Sequence, residues 1–375
     1  MINLMDFFFG TADNHYRTAR IWITHNDLDG YGCLVVANVL TQNAYANHSF
    51  DYDRDGREMF PIQAKKLNIG TPNMALNHVK AYEPDHTMFL ITDLRINRET
   101  IDYLINNKYQ FVVVDHHVWT DEDYDTVKEY SPYSVISTKY SATKMLYNKF
   151  GYESAVRFGV KLENEGLEKY ADNVSNYDTG NWGNWSKRDL GHLAKIGFAN
   201  NKYTPALKEQ LIFSNHKTPF QRVTYCKMVA KQFYTGVDDN VKERLDKELY
   251  SLAEKAFDKI YEQYEFVMKN LMTTDLYENS ILVPFSVPFI SVIAKKILED
   301  NPKFNYLFYI SPEYKMIGIR SSIAHPELNC QEIATKYGGG GHQCAAGFNL
   351  TSLDIYVSGG NASFRFTPAD KDTIK

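Results

Sequence analysis

Three short apolar runs in the first third of the chain each end in acid or imidazole. Ile21-Trp22-Ile23 leads into Thr24-His25-Asn26-Asp27-Leu28-Asp29-Gly30, Met88 to Thr92 leads into Asp93, and Phe111 to Val114 leads into Asp115-His116-His117. Unalternating apolar runs of this length predict strands buried on both faces, as in a parallel sheet. The side chains that follow them then converge at the carboxyl edge of one sheet, where open α/β folds bind ligands.

Helical patterns lie between these runs. Tyr31 to Leu40 is apolar all round and predicts a buried helix opening directly after Gly30. Arg98 to Asn107 places Ile101, Leu104 and Ile105 on one face. Strand, helix, strand within about thirty residues is a βαβ unit with a right-handed crossover. Further helices are expected at Ser141 to Phe150, with Gly151 as the stop, and over most of Ser154 to Asn176.

Strand signals vanish from Trp182 to about Asn270. Leu245, Leu249, Leu252, Ala256, Ile260, Tyr264, Val267 and Leu271 recur at spacings of three and four, which predicts one long amphipathic helix spacing two domains. Strands resume at Ile281–Val283, Tyr306–Ile310 and Met316–Ile319, with helices at Ile290–Leu298 and Cys330–Tyr337. The fold class is therefore α/β: a mostly parallel-sheet domain over 1–190, a helical connector over 191–274, a smaller α/β domain over 275–367 and a charged tail over 368–375.

Composition narrows the class. The chain has 375 residues, 44% hydrophobic and 23% charged, the profile of a soluble globular protein with a sizeable core. A net charge of −5 argues against a long electrostatic footprint on duplex nucleic acid. The four cysteines form no C-x-x-C pair, which fits a reduced cytoplasmic chain without a disulfide framework or zinc knuckle. No 18-residue apolar run predicts a membrane span. Met1 to Gly10, with Phe7-Phe8-Phe9, lacks the basic flank of a signal peptide and reads as a packing segment.

The chemistry lies in His25, Asp27, Asp29, Asp93, His116 and Asp178. Carboxylates mixed with imidazole and without thiolate suit Mn²⁺, with Mg²⁺ and Fe²⁺ next, rather than structural zinc. Six ligands exceed the need of one ion. With one carboxylate shared they match a pair of ions about 3.5–4 Å apart, which polarises a phosphoryl group and lowers the pKa of a water. Asp93, alone at a strand end, has the geometry of the shared ligand. Asp27 and Asp29 can serve different ions if the turn between them is tight, which Gly30 permits.

These motifs resemble those of the DHH phosphoesterase superfamily. Asp115-His116-His117 matches the motif that names it, His25 to Gly30 its first motif, Asp93 its second and Asp178 its fourth. Asp172 competes for the fourth motif, and the turn that follows Asp178 favours Asp178. The C-terminal substrate domain of that family carries a glycine-rich motif with histidine, matched by Gly338 to His342, and a strand ending like Gly318-Ile319-Arg320-Ser321. The resemblance covers roughly 18–185 and 275–352.

It implies two Mn²⁺ ions and hydrolysis of a phosphodiester or phosphoanhydride. By that carry-over His25, Asp27 and Asp93 hold one ion, and Asp29, Asp93, His116 and Asp178 hold the other. His117 faces the scissile phosphate and Asp115 orients a histidine through its ring N–H. Arg320, Ser321, Gly339, Gly340, Gly341 and His342 grip the part of the substrate that is not cut, since consecutive glycines let backbone N–H groups approach an anion.

Among the activities that the resemblance implies, length and acidity favour a short single-stranded oligonucleotide or a nucleotide second messenger as substrate, as in the oligoribonuclease branch. Processive binding to long strands needs many phosphate contacts. The alternatives are a cyclic mono- or dinucleotide phosphodiesterase, a RecJ-like exonuclease and, in another class, a non-catalytic nucleotide-binding protein. A homodimer is compatible with the sequence. Trp182 and Trp185 are candidates for base stacking or for packing at a domain edge. Lys208, Lys217, Arg222, Lys227 and Lys231 read as a solvated face.

Overall fold

The computed structural model describes residues 2–9, 19–48, 66–68, 72–159, 161–179, 205–216, 218–274, 276–311, 315–322, 325, 327–358 and 361–368. Trp182, Trp185, Lys217 and the tail beyond 368 lie outside them. The described residues up to 252 form one compact unit and those from 253 onward another.

The first unit is built on five strands: β1 (Ala19–Thr24), β2 (Lys66–Asn68), β3 (Thr87–Thr92), β4 (Gln110–Asp115) and β5 (Val135–Ile136). All pair in parallel, in the order β2-β1-β3-β4-β5. This is a doubly wound sheet whose topological switch point lies between β1 and β3. Both faces are covered, which is why the strand runs do not alternate. Ile21, Ile23, Phe89, Ile91, Phe111 and Val113 pack on one side with Ile101 and Leu104 of a helix at Arg98–Asn106. Trp22 faces the other side and meets Phe7 and Phe8 edge-on at 6.4 and 5.6 Å. Those phenylalanines belong to α1 (Leu4–Phe9), so the N-terminal segment is indeed a packing element.

The buried helix expected after Gly30 is α2 (Leu28–His48). Two boundaries differ from expectation. The helix that begins after the Ser141 cap does not stop at Gly151. It runs over Ala142–Phe158 and ends at Gly159, whose φ of 69° is left-handed. A glycine inside a helix costs only about 1 kcal/mol. Here the chain returns over it, and a Cβ at Gly151 would sit 3.5 Å from the Leu162 carbonyl. The long helix expected over Ser154 to Asn176 is therefore two, the second being Glu165–Asp178, capped by Asn164. Further helices follow at Pro205–Ser214, Pro219–Phe233 and Asp239–Lys269.

The second unit holds a mixed seven-stranded sheet. Its strands are β6 (Met272–Thr274), β7 (Ser280–Val283), β8 (Tyr306–Ser311), β9 (Met316–Ser321), β10 (Gly340–His342), β11 (Ala345–Ser358) and β12 (Asn361–Pro368). They lie in the order β10-β11-β12-β6-β7-β8-β9, and β9 also pairs with the first residues of β11. Helices at Ile290–Asp300 and Cys330–Lys336 complete it.

Candidate active site

Register explains why the three motifs meet. Thr24, Thr92 and Val114 are aligned across β1, β3 and β4, so His25, Asp93 and Asp115 leave the sheet at one level. Asp93 takes a left-handed φ of 52° as it leaves, and its N–H donates to the Val114 carbonyl at 2.9 Å. Aspartate tolerates this conformation better than most residues. The bend keeps its carboxylate at the switch point, 1% exposed.

Around Asp93 the site has two halves. His25 Nδ1 bonds the Asp27 carboxylate and lies 3.8 Å from Asp93 Oδ2. On the other side His116 Nε2 lies 3.1 Å from Asp93 Oδ1, 3.1 Å from Asp178 Oδ2 and 3.7 Å from Asp29 Oδ2. His25, Asp27 and Asp93 can bring one ligand atom each within 4.8 Å of one another, and so can Asp29, Asp93 and His116. Asp93, Asp115 and His117 meet the same condition, so Asp93 is common to all three sets. Asp172 takes no part, because it pairs with Lys144 at 2.8 Å.

Each ligand candidate is held by the fold. Asp27 Oδ1 accepts the Gly30 N–H at 3.0 Å, and a Cβ at Gly30 would collide with the His25 carbonyl at 2.3 Å. The Asp29 carboxylate accepts the N–H groups of Ala142 and Thr143 at 2.7 and 2.9 Å. The first turn of the Ala142–Phe158 helix thus fixes that acid with its own unpaired donors and its positive end.

The electrostatics suit a cation. Burial, then the carboxylates of Asp27, Asp29 and Asp178, holds Asp93 well above the usual range. Burial also raises Asp178 to about 7, with Asp29 and Asp27 adding to it and His116 opposing. Burial would raise Asp27 too, but the adjoining His25 outweighs it and holds that acid low. Asp93 Oδ2 and Asp178 Oδ2 are buried and accept no hydrogen bond. Buried carboxylate oxygens without such partners cost free energy unless something positive meets them. The donor set therefore fits hard or borderline divalent ions.

No family model matches the chain. Oligoribonuclease NrnB of Bacillus subtilis (strain 168) is 24% identical over 367 residues, covering 94% of this chain and 78% of that protein. A DHH domain from a member of a ribosomal-protein family shares the fold, with a TM-score of 0.59 at 15% identity over 88% of this chain and 82% of that one. RecJ of Thermus thermophilus, solved with Mn²⁺, gives a TM-score of 0.48 at 14% identity over 88% of this chain and 49% of that one. The chain is thus similar over nearly its whole length to an oligoribonuclease and shares its fold with a DHH domain.

In the DHH motif itself the two histidines are held differently. His116 joins the acids, whereas His117 Nδ1 bonds Asp115 Oδ1 at 2.8 Å. Burial opposes protonation of His117, but Asp115 beside it wins and raises it to about 9. Trp119 Nε1 donates to the other Asp115 oxygen at 2.6 Å, so that buried acid is bonded at both ends.

Within the second unit, Arg320 and His342 both pair with Ala345, one from each flanking strand, so they share a row on one face. Arg320 Nη2 donates to Ser291 Oγ at 2.7 Å and its guanidinium lies 5.3 Å from the Tyr309 ring. Ser321 N donates to the Cys344 carbonyl. Gly339 and Gly341 approach the β11 backbone so closely that a Cβ would meet Gly347 O at 2.1 Å and Ala345 O at 2.6 Å, while a Cβ at Gly340 would meet nothing within 4 Å.

Several supporting residues of the DHH site carry no motif signal. Trp22 Nε1 donates to Thr92 Oγ1 and Thr92 Oγ1 to Thr24 Oγ1, each at 2.8 Å, forming a buried polar row beneath the switch point. The signal was there: two threonines at the same level of two apolar strands. Arg222, grouped above with the solvated cations, instead bonds Asn26 in the first motif, a contact between residues 196 positions apart that no local pattern announces.

Proposed function

We propose that this DHH protein is a manganese-dependent phosphodiesterase that hydrolyses short single-stranded oligonucleotides to mononucleotides. The observation that carries it is Asp93, buried and common to the sets His25, Asp27, Asp93 and Asp29, Asp93, His116, with one oxygen that accepts no hydrogen bond. The relationship to a protein named as an oligoribonuclease supports the substrate class.

His25, Asp27 and Asp93 would hold one ion, and Asp29, Asp93, His116 and Asp178 the other. Bound there, the ions supply Lewis acidity at the phosphoryl oxygens and a water acidified toward neutral pH. The chain's own residues do the rest. Asp115 fixes the ring of His117 through Nδ1, which suits the histidine to donate a proton to the phosphate or to the leaving oxygen. Burial opposes ionisation of Asp115, but His117 outweighs it and holds the acid low, and the Trp119 N–H adds to this and keeps the carboxylate in place. In the second unit, the row of Arg320 and His342 supplies charge and donors for a phosphate that is not being cut.

The test is a Mn²⁺ time course on end-labelled RNA of two, five and twenty-four nucleotides, with cyclic di-AMP alongside. Preference for the dimer and pentamer is expected. Preference for the longest strand, or cleavage of cyclic di-AMP alone, would overturn the assignment of substrate.

A further inference from the structure

Arg222 lies on a helix, Pro219–Phe233, that contributes no ligand candidate, yet it reaches the centre of the first motif. Its Nη1 donates to the Asn26 carbonyl at 2.8 Å and bonds Asn26 Oδ1 as well. Its Nε donates to the His216 carbonyl at 3.0 Å. Its Cζ lies 5.0 Å from the centroid of the Phe213 ring and 5.8 Å from that of Tyr31. Among the described residues no carboxylate pairs with this guanidinium; every acceptor it uses is neutral.

The same helix holds the motif a second time. One turn beyond Arg222, Cys226 Sγ donates to the Tyr31 carbonyl at 3.5 Å. Asn26 precedes Asp27 and Tyr31 follows Gly30, so both ends of the turn that carries Asp27 and Asp29 are tied to one helix. The Asn26 carbonyl belongs to the peptide that joins Asn26 to Asp27. Any rotation of that peptide swings the Asp27 carboxylate away from His25 and Asp93. A planar, multidentate donor fixes such a peptide in a way that a single N–H does not.

From this we infer that Arg222 is a positioning residue: through Asn26 it sets the affinity of the ion site formed by His25, Asp27 and Asp93, and not that of the site around His116. The inference rests on the two-ion reading above. Partners that orient ligands from behind are typically worth about 10–100-fold in metal affinity.

The experiment is a calorimetric Mn²⁺ titration of wild type, Arg222→Ala, Arg222→Lys, Asn26→Ala and the double variant Arg222→Ala/Asn26→Ala. Thermal unfolding in EDTA accompanies it. Wild type should bind two Mn²⁺. In Arg222→Ala and Asn26→Ala one equivalent should weaken by about 10–100-fold while the other holds. The double variant should be no weaker than either single change. Arg222→Lys should recover only part of the loss, because an ammonium cannot span the Asn26 and His216 acceptors as the planar guanidinium does. The melting temperature in EDTA should change little, which separates positioning from packing. If the alanine variant does not fold, Arg222→Lys and Asn26→Ala decide the matter.

Two intact Mn²⁺ equivalents in the variants, strictly additive losses, or a fall in melting temperature with unchanged Mn²⁺ affinity would each overturn the proposal. A wild type that binds no pair of ions overturns the two-ion reading itself, and this proposal with it.

Discussion

Asp93 Oδ1 and His116 Nε2 lie 3.1 Å apart although the residues leave different strands, β3 and β4, and one of them does so with a left-handed backbone. The contact joins the switch point of the sheet to the DHH motif. It also concentrates charge: Asp93 faces the carboxylates of Asp27, Asp29 and Asp178, which raise its pKa beyond what burial alone does. Without a bound cation this arrangement opposes folding.

Asp93→Asn should therefore separate stability from function. Asparagine accepts the left-handed conformation and keeps the shape while removing a buried charge. In EDTA, at a pH high enough to ionise Asp93, the variant should melt higher than wild type, by roughly 2–4 °C if about 1 kcal/mol of repulsion is relieved. Its turnover should fall by at least about 10³-fold, the scale of the charge stabilisation an ion supplies. A variant that melts lower in EDTA and still turns over would refute both parts.

The metal-free protein should also lose stability as pH rises. Asp178 is raised to about 7, chiefly by burial, and Asp93 is raised well above normal for the same first reason. His117 is raised to about 9, Asp115 outweighing its burial. A group whose pKa is higher in the folded state contributes stability that is complete below its unfolded value, about 4 for the acids and about 6.5 for histidine. That contribution drains away as pH passes the folded values. Melting temperature in EDTA should thus decline from about pH 5 to about pH 9, and Asp178→Asn should flatten the part below about pH 7.5. Saturating Mn²⁺ should abolish or reverse the decline, since the ligands must be deprotonated to bind. A flat or rising profile in EDTA contradicts the charge arrangement.

The sheet was legible in the chain because burial on both faces writes unbroken apolar runs, and the acids and imidazoles at their ends come together at one edge of it. The two-residue strand Val135–Ile136 is too short to leave a pattern. The hairpin of β11 and β12 lies past the glycine motif and outside the expected strands, although alternation continues from Leu353 to Phe366. Gly151 misled because a glycine inside a helix costs only about 1 kcal/mol, and the left-handed stop that ends this helix falls eight residues later, at Gly159. Arg222 was hidden for another reason: its partner Asn26 is 196 positions away, and a cation in a mixed stretch looks the same whether it meets water or a carbonyl.

Gly30 and Gly340 should behave oppositely toward alanine. At Gly30 the new Cβ would sit 2.3 Å from the His25 carbonyl oxygen and 2.8 Å from Thr24 Oγ1, so the turn carrying Asp27 must open. A loss of about 1–3 kcal/mol in urea unfolding is expected, together with weaker Mn²⁺ binding. At Gly340 the Cβ meets nothing within 4 Å, and stability should stay within about 0.5 kcal/mol. Equal stability of the two variants would show that the Gly30 turn is not as tight as the contacts make it.

Asp115→Asn should uncouple His117 while leaving the acid cluster filled. The carboxylate bonds His117 Nδ1 at 2.8 Å and takes the Trp119 N–H at 2.6 Å. Asparagine keeps the size but loses the charge and can turn its amide N–H toward the ring, which favours the wrong tautomer. The His117 pKa, read by NMR in the metal-free protein, should fall from about 9 toward the ordinary value near about 6.5. Turnover should drop by about 10²–10⁴-fold, the range for a histidine deprived of its orienting acid, with Mn²⁺ stoichiometry unchanged. Trp119→Phe is the milder companion: one buried Asp115 oxygen loses its donor, at a cost of about 1–3 kcal/mol in stability, and the His117 pKa should move up rather than down because the negative charge is less dispersed. If Asp115→Asn instead lost Mn²⁺ while His117 kept its pKa, Asp115 would belong among the ion ligands, and the proton would have to come from another residue.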